Sequence, residues 1–96
     1  MDQEMLAMAT FKEDKFDKFM GWFQSEEGMT MRKSIAHVEQ TVPGIAPDKS
    51  YVIFKVTVHN EEKMREFVTG NNPVAKDIYD ECIDNIQVWK LNKVNL

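Results

Sequence analysis

The segment from Tyr51 to His59 constrains the fold more than any other part of this sequence. It reads Y-V-I-F-K-V-T-V-H, and side chains along a β-strand point alternately to the two sides of a sheet. One side is wholly apolar and consists of Val52, Phe54, Val56 and Val58. The other side is mixed and consists of Tyr51, Ile53, Lys55, Thr57 and His59. Tyr and Ile are unusual together on a solvent face, and Lys and His are unusual in a dry core. We therefore expect the apolar side to face the core and the mixed side to face a dimer interface or a wet cavity.

Length and charge limit the kinds of partner. The chain has 96 residues, which suits a single domain over residues 1–96 with a real core, although self-association would add useful burial. It carries 12 Lys and Arg against 16 Asp and Glu, a net charge of -4. No general attraction to phosphate backbones or anionic membranes follows from this balance. We expect neither a nucleic acid nor a membrane as a partner.

The single cysteine, Cys82, and the N-terminal residues bear on the compartment. One cysteine permits no internal disulfide and no cysteine-based zinc cluster, which fits a reducing environment. The N-terminus reads M-D-Q-E-M-L-A-M-A-T-F, without the basic region and continuous apolar run of a signal peptide. No segment has the apolar length of a membrane span. We expect a soluble, cytoplasmic protein.

The first elements are a strand and an amphipathic helix. Met5 to Phe11 reads as a strand of small and apolar residues, and Asp14 can cap the following helix. The helix has an apolar stripe at helical spacing, formed by Phe16, Phe19, Met20 and Phe23. Such a stripe is typical of a helix that packs on a sheet.

The segment from Met29 to Thr41 is ambiguous. Met31, Ile35 and Val38 fit a helix, but we favour a strand over residues 34–42 because much of it is β-branched and a P-G-I-A-P-D loop follows. That strand would place Ile35, His37 and Glu39 on one face.

The C-terminal half predicts two further helices and a final strand. Asn60 can cap a helix with Glu61 and Glu62 in its first turn, and Asn72-Pro73 can begin the next helix. Residues 86–94 then read as a strand. When the two consecutive helices are counted as one interrupted helical segment, the order is β-α-β-β-α-β. This order predicts an α+β, ferredoxin-like fold, an antiparallel sheet with the helices on one face.

Several stretches resemble a known group of proteins. They are F-D-K-F-M-G-W-F, then Arg32, P-G-I-A-P-D-K, V-I-F-K-V, N-E-E-K-M-R-E-F and N-P-V-A-K. Together they resemble the small dimeric α/β-barrel superfamily, especially bacterial members related to the antibiotic-biosynthesis monooxygenase group. The resemblance implies a homodimer in which the bare sheet faces of two subunits meet, form a dimeric α/β barrel and enclose cavities.

Motifs for common cofactors are missing from the sequence. The four glycines form neither a dinucleotide fingerprint nor a phosphate-binding loop, and there is no serine nucleophile elbow or HExxH helix. A metal site needs several ligands with supporting groups, and at most His37, Glu39, His59 and one further acid could assemble. We expect no cofactor and no metal.

Lys55 is the most anomalous residue of the mixed face. In mid-strand, its ammonium must reach water, a carboxylate or an anionic ligand, and Glu39 on the neighbouring predicted strand is the natural partner. Tyr51 and Trp89 could form the wall of a pocket or fill a dimer interface. The candidate ligand-binding residues are His37, Glu39, Tyr51, Lys55, His59 and Trp89.

Two functional hypotheses follow from these residues. The first is a homodimer that binds a small, partly apolar molecule with an acidic or hydrogen-bond-accepting group, or that acts as a regulatory or structural dimer. The second is a cofactor-independent monooxygenase or isomerase, which the resemblance suggests. We favour the first because the sequence presents no evident acid–base pair or nucleophile.

Overall fold

The computed structural model describes residues 2–94 and 96. The helices among these residues are all short, and none has the length and apolar character needed to cross a membrane. In chain order the elements are strand β1 (Gln3–Phe11), helices α1 (Phe16–Phe23) and α2 (Glu26–Lys33), a 3-10 turn (Val38–Gln40), strands β2 (Val42–Ile45) and β3 (Tyr51–Val58), helices α3 (Glu61–Val68) and α4 (Lys76–Cys82), and strand β4 (Ile83–Leu91).

The four strands form one antiparallel sheet in the order β2-β3-β1-β4. The central pair, β1 and β3, places Ala7 opposite Phe54 and Leu6 opposite Lys55. Both helical segments lie between strands in the chain and pack on the same side of the sheet. This arrangement confirms the predicted α+β, ferredoxin-like fold class.

The side of the sheet under the helices, called the closed face, holds the core. Val52, Phe54 and Val58 are buried there, as their alternation in the sequence predicts. On β1 the same side carries Met5, Ala7 and Ala9, all of them buried. The helices contribute Phe19, Phe23, Met31, Met64, Phe67 and Cys82.

Helices α1 and α2 meet at a tight junction. The side chain of Ser25 caps α2 by accepting a hydrogen bond from the Gly28 backbone N–H at 3.2 Å, and it donates to the Trp22 carbonyl. A Cβ atom at Gly28 would lie 2.2 Å from that carbonyl oxygen. Helix α1 therefore ends at Phe23, and Ser25 already caps the second helix.

The predicted strand over residues 34–42 is wrong. Helix α2 continues to Lys33, the 3-10 turn follows, and only Val42 of the predicted strand belongs to β2. The helical arrangement buries both Met31 and Ile35 in the core. It also places acidic residues in the first turn of α2 and basic residues in its last turn, where each suits the helix dipole.

Three predicted boundaries also shift. Helix α1 has Lys15 at its N-cap without a side-chain cap, and Asp14 instead adopts a left-handed conformation with φ of 61°. Asn72 does act as a cap, since its side chain accepts from the Val74 and Ala75 backbone N–H groups, but α4 starts at Lys76. Strand β4 spans Ile83–Leu91 where residues 86–94 were predicted.

Candidate functional site

The sheet side away from the helices, called the open face, bears the mixed side of β3. Pairing register puts Lys55, Leu6 and Trp89 in one row across the strands, and Ile53, Met8 and Gln87 in the next. Trp89 is 46% exposed. The open face is therefore a largely apolar surface with a lysine near its centre.

Lys55 has a carboxylate partner within the chain. Its Nζ lies 3.7 Å from Oε1 of Glu4, whose side chain is only 14% exposed. Glu4 also accepts a hydrogen bond from the Thr57 hydroxyl at 2.6 Å and lies 3.9 Å from the Lys93 ammonium. The expected pairing of Lys55 with Glu39 is wrong, because Glu39 lies in the 3-10 turn and no strand over residues 34–42 exists.

His37, Glu39 and His59 come together near the end of β3. The ring centres of the two histidines are 5.1 Å apart. Nε2 of His37 lies 3.2 Å from an Asp2 carboxylate oxygen, and its Nδ1 lies 4.0 Å from Oε1 of Glu39. Nε2 of His59 donates to the Lys33 carbonyl at 2.8 Å, since a carbonyl can only accept. Over residues 2–94 and 96, no three His, Cys, Asp or Glu side chains are arranged to hold a metal ion.

The six predicted site residues thus fall into two groups. Lys55 and Trp89 flank Leu6 on the open face, and Tyr51 lies further along β3, opposite Thr10. His37, Glu39 and His59 form the second group, described above. Their part in ligand binding stays a prediction, and within one subunit they do not line a common cavity.

A cavity of about 60 Å³ lies between the closed face and the helices. Its walls are almost wholly apolar. The space exists because the small side chains of Ala7 and Ala9 lie beneath aromatic and methionine side chains from the helices. The larger wall residues include Phe19, Phe23, Met31, Phe54, Met64 and Phe67. No sequence pattern described above predicts a cavity on this side.

Arg32 is the single ionisable residue among the described residues that line this cavity. Its guanidinium carbon lies 4.2 Å from the ring centre of Phe23, a cation–π geometry. Nη1 donates to the Phe23 carbonyl at 3.4 Å and contacts the Met29 sulfur at 3.0 Å. Burial lowers the pKa of Arg32 from its usual value, but a guanidinium remains cationic at neutral pH.

Solved structures with this arrangement cover nearly the whole chain. Protein SO0527 of Shewanella oneidensis is 16% identical, with a TM-score of 0.57 over 94% of this chain and 88% of that one. A Bacteroides thetaiotaomicron protein named "putative antibiotic biosynthesis monooxygenase" is 9% identical, with a TM-score of 0.62 over 98% and 90%. The chain has the fold of these proteins. The sequence matches no family model and no curated protein, so the likeness concerns the fold alone.

In this ferredoxin-like fold, the mouth of the cavity lies beside residues 32–41, which form the end of α2 and the 3-10 turn instead of the predicted strand. Arg32, Val38 and Thr41 are half-buried at this end, Val56 and Ile86 are half-buried on the sheet, and the other wall residues are buried. The sequence does hold a signal for Arg32. Gly28, Met31, Arg32 and Ile35 share helical spacing, so a cation interrupts an otherwise apolar helix face. This spacing has no meaning in a strand, so the predicted strand did not indicate Arg32.

Proposed function

We propose that this protein is a single-domain, cytoplasmic homodimer over residues 1–96 that binds a small, mostly apolar molecule in the cavity beside Arg32. The observation that carries the proposal is an apolar cavity with one half-buried cation at its rim. Small-molecule sites typically combine apolar walls with a few convergent polar groups. The free, buried thiol of Cys82 supports the reducing compartment.

The cavity volume limits what can enter. An engineered protein cavity of roughly 150 Å³ accepts benzene, and the cavity here is about 60 Å³. The enclosed part therefore suits a narrow apolar group, and the rest of a ligand would lie at the rim near Val38 and Thr41. A wider ligand requires the side chains of the mouth to move.

The open face supports the homodimer. Leu6, Met8 and Ile53 are half-buried at its centre, and Val42 and Trp89 are large exposed apolar residues of the same face. Apolar side chains grouped on an uncovered sheet face are typical of interaction sites. A second copy presenting the same surface would bury these side chains by a two-fold contact.

A cofactor-independent monooxygenase or isomerase is the second candidate. The fold shared with the Bacteroides protein and the apolar lining of the cavity favour it. We rank binding first because Arg32, the ionisable group described at the cavity, does not exchange protons at neutral pH and so makes a poor acid–base catalyst.

Native mass spectrometry of the freshly purified protein tests both parts of the proposal. We expect the mass of a dimer and, where a ligand survives purification, one extra small-molecule mass per subunit. A monomer at micromolar concentration by light scattering would contradict the dimer.

Binding of 1-butanol, measured by calorimetry, tests the cavity directly. We expect Ala9→Val, which adds two methyl groups to the cavity wall, to abolish butanol binding. The matched control is Ala46→Val, because Ala46 is also buried but lies outside the cavity lining. Equal butanol binding by both variants would place the ligand elsewhere.

A further inference from the structure

We propose that the ligand of the cavity is an amphipathic monocarboxylate, with its carboxylate on Arg32 and a narrow aliphatic tail inside the cavity. This inference rests on the binding function proposed above and adds the chemical class of the molecule. It comes from the unequal treatment of the cations in this chain.

Among the described residues, seven lysines have a carboxylate partner. The other cations apart from Arg32 are exposed to water, namely Lys12, Lys33, Lys63 and Arg65, whereas Arg32 is half-buried and has no carboxylate partner. Lys18, Lys55 and Lys90 each lie within 4.0 Å of a glutamate. Across the described part of the chain, no carboxylate approaches the Arg32 guanidinium within that distance. A cation partly removed from water without an opposite charge is destabilising, and an anionic ligand would offset that penalty.

The hydrogen bonds of Arg32 leave the edge of its guanidinium formed by Nε and Nη2 available to a ligand. Both protein contacts are made by Nη1, to a carbonyl and to a thioether. A guanidinium has five N–H donors, and the edge formed by Nε and Nη2 can bind both oxygens of a carboxylate in one plane. That bidentate geometry is specific to planar anions such as carboxylates.

The guanidinium is also held in place. It stacks on Phe23, and the Phe23 ring is itself packed 5.4 Å from the ring centre of Phe19 and 5.2 Å from that of Phe54. A cation fixed by a buried aromatic cluster loses little freedom when an anion binds. The anion position is therefore set at the cavity rim.

Charge and volume together select the class of anion. One arginine balances one negative charge, so a phosphate dianion would bring an uncompensated charge to an apolar rim. The enclosed volume of about 60 Å³ admits a short aliphatic tail more readily than an aromatic ring. The half-buried Thr41 at the same rim offers a hydroxyl as a further donor to the head group.

The test compares butyrate with 1-butanol, which share a short tail and differ in the charge of the head group. For the wild-type protein at neutral pH, calorimetry should show butyrate binding about 10- to 100-fold tighter than butanol. Arg32→Met should remove that preference and keep butanol binding. The matched control, Arg65→Met, makes the same charge change at an exposed residue of α3 and should leave the preference intact.

A second measurement does not depend on a variant that folds. In the wild-type protein, the side-chain Nε–H resonance of Arg32 should shift on addition of butyrate and stay unchanged with butanol. Butanol binding without a preference for butyrate would overturn this inference and leave the cavity function standing. Binding of neither compound would overturn both. A preference that persists in Arg32→Met, or an Arg32 resonance that does not shift with butyrate, would put the anion elsewhere and also overturn the inference.

Discussion

The two faces of the sheet differ in how far their side chains are exposed, although β3 contributes side chains to both. On the closed face, Val52 and Val58 are 0% exposed. On the open face, Tyr51 and Trp89 remain 38% and 46% exposed. Helices cover the first face, whereas apolar side chains on the second can gain burial only from another molecule. The closed face therefore determines the stability of the subunit, and the open face is available for assembly.

The two faces also treat their cations differently. Lys55 on the open face is balanced by Glu4 at 3.7 Å. Arg32, on the closed side, contacts a carbonyl, a sulfur and an aromatic ring. An open-face ligand would have to displace an existing ion pair at Lys55, whereas an anion at Arg32 would supply a missing partner. This difference moves the favoured ligand site from the open face to the cavity.

The largest expected effect comes from truncating the closed face. Phe54→Ala removes a buried ring that packs against Phe23 and should lower the free energy of unfolding by about 3 to 5 kcal/mol. Tyr51→Ala, on the same strand but on the open face, should have a clearly smaller effect on the subunit. Urea denaturation at fixed protein concentration measures both. Equal losses would mean that the two faces contribute alike.

A charge on the open face should act on assembly instead of folding. Ile53→Glu would bury a carboxylate at the proposed dimer contact and should raise the dimer dissociation constant by about 100-fold or more. The control is Ile45→Glu, since Ile45 is exposed and pairs with Val52, a closed-face position. Sedimentation velocity distinguishes monomer from dimer. An Ile53→Glu protein that stays dimeric would exclude this face as the interface.

A substitution at the α1–α2 junction should have an intermediate effect on the stability of the subunit. In Gly28→Ala the new Cβ would meet the backbone oxygens of Trp22 and Phe23 at 2.2 and 2.8 Å, so the helices must separate. We expect a loss of about 1 to 3 kcal/mol in unfolding free energy. Gly21→Ala is the control, because nothing lies within 4 Å of its Cβ and alanine favours a helix. A neutral Gly28→Ala in thermal unfolding would show that the junction is looser than this geometry implies.

The fold could be predicted because its strongest patterns are local and unambiguous. The alternation in β3 assigns each face, since a one-residue slip would expose Val52 and Phe54 together. The segment between α1 and β3 offered no such certainty. Ile35 fits a strand by its branching and a helix by its spacing from Met31, and only packing against the sheet decides between them.

The candidate site was less predictable for physical reasons of two kinds. The Lys55 partner, Glu4, is brought near by the register of β1 against β3, which local patterns do not specify. Strand β2 reads Val-Pro-Gly-Ile and is wholly exposed, so it lacks the usual pattern of a strand. Without β2 in its true place, the 3-10 turn and the cavity mouth beside it could not be placed.

The smallest expected effect is that of Lys55→Met, which keeps much of the stem and removes the charge. The Lys55 side chain is 50% exposed, so solvent screens its pairing with Glu4 and the unfolding free energy should change by less than about 1 kcal/mol. Glu4→Gln should have a larger effect, because that carboxylate is mostly buried and also holds the Thr57 hydroxyl. Glu39→Gln should change neither assembly nor ligand binding. If Lys55→Met weakens the dimer and Glu4→Gln reproduces this, the pair is part of the interface. If Lys55→Met abolishes butyrate binding while the dimer persists, the ligand binds on the open face and the cavity is not the site.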